Sequence, residues 1–236
     1  MKGKMFLVAF LVICVLSSCA KKEAPKEDAN KVSEKAAGSQ SVSSDVSALR
    51  IANSLAKYGY ENYSAAALIE AAEILAKVQT QAFDIEIKKG EAKTDAGTKT
   101  EKPEFTPANL LADAKQFASG DATLLAFAGQ VEAASQTKTR GAAGGPKYGT
   151  YKLPGGTYDS FNAVFRANER AEIGVSGDGD TDIDLYVYDS NGNLIVYDES
   201  PYDDCYVSFV PKWTGEFTVQ IVNLGRVYNV YTLTSN

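Results

Sequence analysis

The chain predicts an α+β multidomain protein: a small N-terminal domain of about four helices, then an all-β sandwich. Three observations predict it. Apolar residues recur at helical spacing between residues 45 and 135. From residue 147 the pattern becomes alternation, punctuated by Pro154-Gly155-Gly156, Asn191-Gly192, Trp213-Thr214-Gly215 and Leu224-Gly225. Composition steps at the same place. Residues 147–236 hold ten of the 13 tyrosines, the one tryptophan, and 13 acidic against six basic residues, whereas residues 1–146 carry 17 and 18.

The chain opens with Lys2 and Lys4 ahead of an apolar run, Met5 to Leu16. That run is too short to cross a bilayer and has the size of a signal-peptide core. It ends in Leu16-Ser17-Ser18-Cys19, which resembles the lipobox of bacterial lipoproteins. The resemblance implies cleavage after residue 18 and acylation of Cys19, palmitate included, and several acyl chains anchor stably. Ala20 is not the aspartate that resembles an inner-membrane retention signal, which favours the outer membrane as the site within the cell envelope. With Cys14 removed and Cys19 lipidated, Cys205 stands alone, so no intrachain disulfide is expected.

Residues 19–44 are rich in Lys, Glu, Ala and Ser without apolar period and read as a lipidated, disordered tether. About 25 such residues reach on the order of 25–30 Å. In the helical domain, 45–135, Leu49, Ala52, Leu55 and Ala56 share one face, and Leu68, Ala71, Ala72, Leu75 and Val78 another. Tyr58-Gly59-Tyr60 reads as the break between these helices, and the polar stretch Lys88 to Pro103 as a long loop. Thr106-Pro107 supplies an N-cap and N1 for a third helix that Gly120 closes. Asp121 caps a fourth carrying Leu124, Leu125, Ala128 and Val131. Residues 136–146, with three glycines, read as a linker.

In residues 147–236, alternation marks strands around Phe161-Phe165, Ile173-Val175, Leu185-Val187, Val207-Phe209, Phe217-Ile221 and Val227-Leu233. Turn spacing implies about eight strands in all. Thr181 to Asp189 resembles the D-x-D-L-y-v-y-D strand of bacterial pre-peptidase C-terminal domains. Thr214 to Val219 and Asn229 to Leu233 are similar to that family's t-G-x-y-t-v and N-x-Y-T-L strands. The resemblance implies a jelly-roll-like sandwich that binds an extracellular polymer or is removed during maturation. No peptidase domain precedes it in this chain, so a role as passenger to a protease is not implied.

Composition excludes much chemistry. Net charge of −6 argues against a nucleic-acid partner, which needs a basic face. Without histidine there is no Ser-His-Asp triad, Cys-His pair or His-ligated metal. No Asp-Thr-Gly or Asp-Ser-Gly occurs, so no catalytic residue is nominated and the protein is read as a non-enzyme. Asp178, Asp180 and Asp182 alternate around Gly179 as calcium ligands do, with Asp203 as a helper from another loop, although Ile183 and Asp189 break the EF-hand pattern. Calcium is therefore the one cofactor considered, against a solvated acidic rim. Asp182 and Asp184 are expected on the face opposite Ile183 and Leu185.

Two functions remain. In the first, a membrane-anchored envelope lipoprotein presents Tyr158, Tyr197, Tyr202 and Trp213 to a protein or glycan, through a sandwich acting as a binding or adhesion module. In the second, a structural or assembly lipoprotein contacts another envelope component through a Leu/Ala groove of its helical domain. Exposure of those rings or of that groove separates the two. Cys19→Ser is expected to abolish acyl labelling and release the protein from the membrane fraction. Unchanged membrane retention would refute the anchor.

Overall fold

The computed structural model describes residues 44–91, 97–136 and 145–236. The signal segment, Cys19, the tether up to residue 43 and linker residues 137–144 lie outside the described residues. Four helices form one core: α1 (Ser44–Glu61), α2 (Ala65–Lys77), α3 (Pro107–Phe117) and α4 (Ala122–Gln136). Leu68, Ala71, Ala72, Leu110, Leu111, Ala128 and Val131 are buried together, so the Leu/Ala face is packed interior and not a groove.

Local chemistry sets the helix ends. Ser64 and Thr106 sit at N-caps and accept from the Ala67 and Asn109 amides. Asp121 accepts from the Thr123 and Leu124 amides at 2.8 and 3.1 Å. The break expected at Tyr58-Gly59-Tyr60 is not there, because α1 runs through it to Glu61. The chain turns instead at Asn62–Ser64, with Tyr63 at φ 50°. Gly59 is in the helix for closeness: a Cβ there would strike the Leu68 side chain of α2.

Among the described residues, nine strands form two antiparallel sheets. One has the order β1 (Lys88–Lys89), β3 (Tyr158–Phe165), β8 (Gly215–Asn223), β5 (Ile183–Asp189) and β6 (Leu194–Asp198). The other has the order β2 (Lys147–Leu153), β9 (Asn229–Ser235), β4 (Ala171–Ser176) and β7 (Asp204–Phe209). With β1 set aside, the two sheets of four are those of a jelly roll. Between them lie Phe161, Phe165, Ile173, Leu185, Val187, Val207, Phe209, Phe217, Val219, Ile221, Tyr231 and Leu233. Strands β2 and β6 carry weak alternation, with mostly half-buried or exposed residues, and sequence pattern does not single them out.

The helical part and the sandwich are not merely tethered. Helix α1 lies on the outer face of the four-stranded sheet, against β4 and β9. Asn53, 1% exposed, donates to Thr232 Oγ1 at 2.6 Å and accepts from the Tyr148 hydroxyl at 3.3 Å. Arg50 lies 4.5 Å above the Tyr206 ring, in room left by the missing side chain of Gly174. The stretch read as a long loop has little regular structure beyond β1, and its described residues form a strap on the sandwich. Phe83 packs edge-on to Phe161 at 6.2 Å, β1 pairs with β3, and Gly97 donates to the Arg226 carbonyl at 3.1 Å. Lys89 reaches the fully buried Asp159 at 2.9 Å, whose second oxygen accepts from the Tyr231 hydroxyl.

Asn53→Ala removes two hydrogen bonds at this seam, to the buried Thr232 and the half-buried Tyr148, and is expected to cost about 1–3 kcal/mol. Urea unfolding of the full chain measures it. A change below about 0.5 kcal/mol would show that α1 does not bear on the sandwich.

Candidate functional site

The outer face of the five-stranded sheet is built by alternation. Along β5, Ile183, Leu185 and Val187 point into the core, so Asp184, Tyr186 and Tyr188 point out. Cross-strand register sets Ser160, Gln220, Tyr186 and Tyr197 in one row. Asn162, Thr218, Tyr188 and Leu194 form the next row. The Tyr186 ring stacks on Tyr188 at 6.3 Å and 23°, and on Tyr197 at 6.3 Å and 19°. Three near-parallel rings thus form a ladder, flanked on β3 and β8 by amide and hydroxyl side chains.

Electrostatics fix the middle ring. The Tyr186 hydroxyl lies 2.6 Å from Glu199 Oε1 and 3.0 Å from Asp184 Oδ2. Burial, then those two bonds, push its phenol above the usual value. Asp184 is 6% exposed; burial raises its carboxyl, the Tyr186 bond opposes, and Asp182, Glu199 and Asp198 add to the rise. The face is acidic, and its central tyrosine is pinned.

Of the four aromatics nominated from sequence, Tyr197 is a rung of this ladder and 54% exposed. Tyr158 is exposed on the same face, on β3 opposite Val222, which in turn faces Asp184. Two strand spacings put it about 10 Å from β5. Tyr202 is 69% exposed but sits in the β6–β7 loop, off the ladder. Trp213 is half-buried in the turn before β8, by its indole beside Gly215, at the end of that strand away from the acidic loop. Tyr186 and Tyr188 were not nominated, although the alternation that places Asp182 and Asp184 on the outer face places them there too.

The acidic loop is organised differently from a calcium site. Asp178 and Asp180 are drawn together by lysines of the strap: Lys99 pairs with both, at 2.7 Å to Asp180. Lys102 reaches Asp180 Oδ1 at 2.7 Å and the Asp178 carbonyl at 2.6 Å. Asp178 also accepts from the Val230 amide at 2.9 Å. Asp203, the expected helper, pairs with Lys57 of α1 at 3.1 Å, and Asp204 with the same lysine at 2.7 Å. Asp182 stands apart from these pairs, and its Oδ1 is buried without a partner among the described residues. The three expected ligands therefore do not converge on a cation; ammonium groups remote in sequence supply the positive charge. Among the described residues no group of three or more acidic or cysteine side chains is placed to hold a metal ion. Cys205 is buried, donates to the Ile183 carbonyl at 2.9 Å, and burial raises its thiol far above the usual range.

No family model matches the chain, and no curated protein matches it in sequence. Among solved structures it is similar to the pre-peptidase C-terminal domain of a Bacillus anthracis collagenase. Identity there is 9%, the TM-score 0.29, and 42% of this chain and 100% of that one are covered. It is also similar to a periplasmic lysozyme inhibitor of Aeromonas hydrophila, at 13% identity and TM-score 0.27, covering 42% and 91%. A carbohydrate-binding module from Cellvibrio mixtus lichenase 5A gives 14% and 0.25, covering 42% and 83%.

Lys99→Met leaves Asp178, nearly fully buried, short of its main counter-charge. Lys102 remains alongside, so the expected cost is about 3 kcal/mol, the low end for breaking a buried pair. Chemical denaturation reads it, and a loss under about 1 kcal/mol would demote the strap to surface decoration. Asp180 gives the pH signature. Burial raises its carboxyl, but the bonds and charges of Lys102 and Lys99 outweigh that and hold it below the usual value. A carboxyl lowered by folding adds stability above its unfolded value of about 3.9, and loses it as pH falls through the folded one. Asp180→Asn is therefore expected to flatten the acid limb of stability against pH while leaving its slope above about pH 6 unchanged.

Proposed function

We propose that the chain is a non-catalytic lipoprotein of the cell envelope, held by acyl chains on Cys19, whose sandwich binds a neutral polysaccharide on the tyrosine ladder. The observation that carries the reading is the Tyr188–Tyr186–Tyr197 stack, level with Gln220, Thr218, Asn162 and Ser160. Sugar rings offer apolar C–H faces to aromatic surfaces and hydroxyls at their edges to amides and carboxylates. A row of rings beside a strip of hydrogen-bonding side chains matches both halves of that chemistry. The carboxylates Asp184, Glu199 and Glu216 around the rings disfavour anionic sugars. Exposure of Tyr158 and Tyr197, together with burial of the Leu/Ala helical face, favours this reading over an assembly role for the helices. A tether of about 25 residues leaves the face free to meet polymer some 25–30 Å from the lipid.

Full-length protein is expected to be retained on at least one of insoluble cellulose, chitin or mannan. Tyr197→Ala removes one rung at an exposed position and is expected to weaken retention about three- to tenfold. Retention on none of these polymers, or equal retention of the variant, would overturn the reading.

A further inference from the structure

A cavity of about 270 Å³ lies where α1, the strap and the acidic loop meet, on the far side of the sandwich from any use made of the ladder. Its apolar lining is Tyr60, Pro103 and Phe105; its charged lining is Lys57, Glu61, Lys102 and Asp178. The Tyr60 and Phe105 rings stack at 5.8 Å and 17°, and the Tyr60 hydroxyl is held by Asp113 at 2.7 Å. The rings therefore offer carbon to the cavity, with the phenol's polar end engaged elsewhere.

A bond inventory of the charged groups shows what the cavity lacks. The Lys57 ammonium has three protons and spends two, on Asp203 and Asp204. Lys102 likewise spends two, on the Asp178 carbonyl and Asp180. Asp178 is committed to Lys99 and the Val230 amide. Glu61 has no hydrogen bond or ion pair among the described residues. One donor proton on each of two lysines and one whole carboxylate are left over. The carboxylate and one ammonium border one gap without pairing across it: Glu61 Oε1 and Lys102 Nζ lie 4.0 and 3.9 Å, respectively, from the point a Cβ on Gly179 would occupy.

From this geometry we infer a binding site for a small amphipathic zwitterion, an α-amino acid with a large apolar side chain. Its ammonium meets Glu61, its carboxylate meets Lys102 and Lys57, and its side chain lies on Phe105, Tyr60 and Pro103. A ligand with one charge engages only one sign of the cavity's charged lining, and a ligand without an apolar body leaves the rings in water. The volume suits a molecule of about a dozen non-hydrogen atoms, for which a dissociation constant on the order of 0.1–1 mM is expected.

The test uses the full chain and calorimetric titration with L-phenylalanine, 3-phenylpropionate, phenethylamine and glycine. L-Phenylalanine is expected to bind, and each of the other three to bind at least about tenfold more weakly. Glu61→Gln, at an exposed position, is expected to weaken L-phenylalanine about tenfold while retention on polysaccharide stays unchanged. No heat with L-phenylalanine up to about 10 mM, equal binding of 3-phenylpropionate, or an unaffected Glu61→Gln variant would each overturn the site. Because polysaccharide retention is read separately, loss of either finding leaves the other standing.

Discussion

Four carboxylates, Asp178, Asp180, Asp203 and Asp204, crowd one end of the sandwich, and three lysines pair with all four. Their mutual repulsion in a partly buried setting is worth several kcal/mol, so the arrangement stands only with counter-charge in place. None of the three lysines belongs to the sandwich. Lys57 comes from the fourth turn of α1, and Lys99 and Lys102 from the strap. Charge neutralisation therefore ties the helical part, the strap and the β part into one structure.

The same logic recurs along the strap. Asp159 is fully buried between the sheets' edges and is matched by Lys89 and the Tyr231 hydroxyl. Phe83 and Ile85 pack against the sandwich core, and β1 pairs with the edge of β3, which would otherwise offer unpaired amides. On the opposite sheet, α1 covers β4 and β9, with Asn53 and Arg50 making polar and cation–π contacts across the seam. The N-terminal half thus covers one sheet face and one sheet edge. The outer face of the five-stranded sheet keeps its exposed tyrosines.

That division assigns roles. A face with stacked, partly exposed rings and amide side chains would accept a partner without rearrangement of the fold, because alternation on rigid strands sets each ring. A cavity at the junction of three separate segments has the opposite character, since its walls come together only in the folded whole. Ligand there would bear on the contact between helices and sandwich, whereas ligand on the ladder bears on one sheet alone.

Period and capping were legible in the sequence because they are local. The 3.6-residue stripes of α1 to α4, the caps at Thr106 and Asp121, the Asn-Gly hairpin and the strand Ile183–Asp189 follow from neighbours a few residues apart. The outward position of Asp184 is of this kind, and Tyr186 and Tyr188 were readable from the same alternation. What lay beyond reach depends on partners far away in the chain. Gly59 looks like a helix breaker until Leu68 is packed against it. Lys88 to Pro103 looks like a solvated loop until β3 and the acidic loop receive it. Asp178 and Asp180 look like cation ligands, and they do bind cations, but these are lysine ammoniums 76 to 81 residues earlier. Local sequence determined which groups needed counter-charge or cover; only the tertiary structure decided which groups supplied them, because ion pairing and packing depend on distance in space and not along the chain.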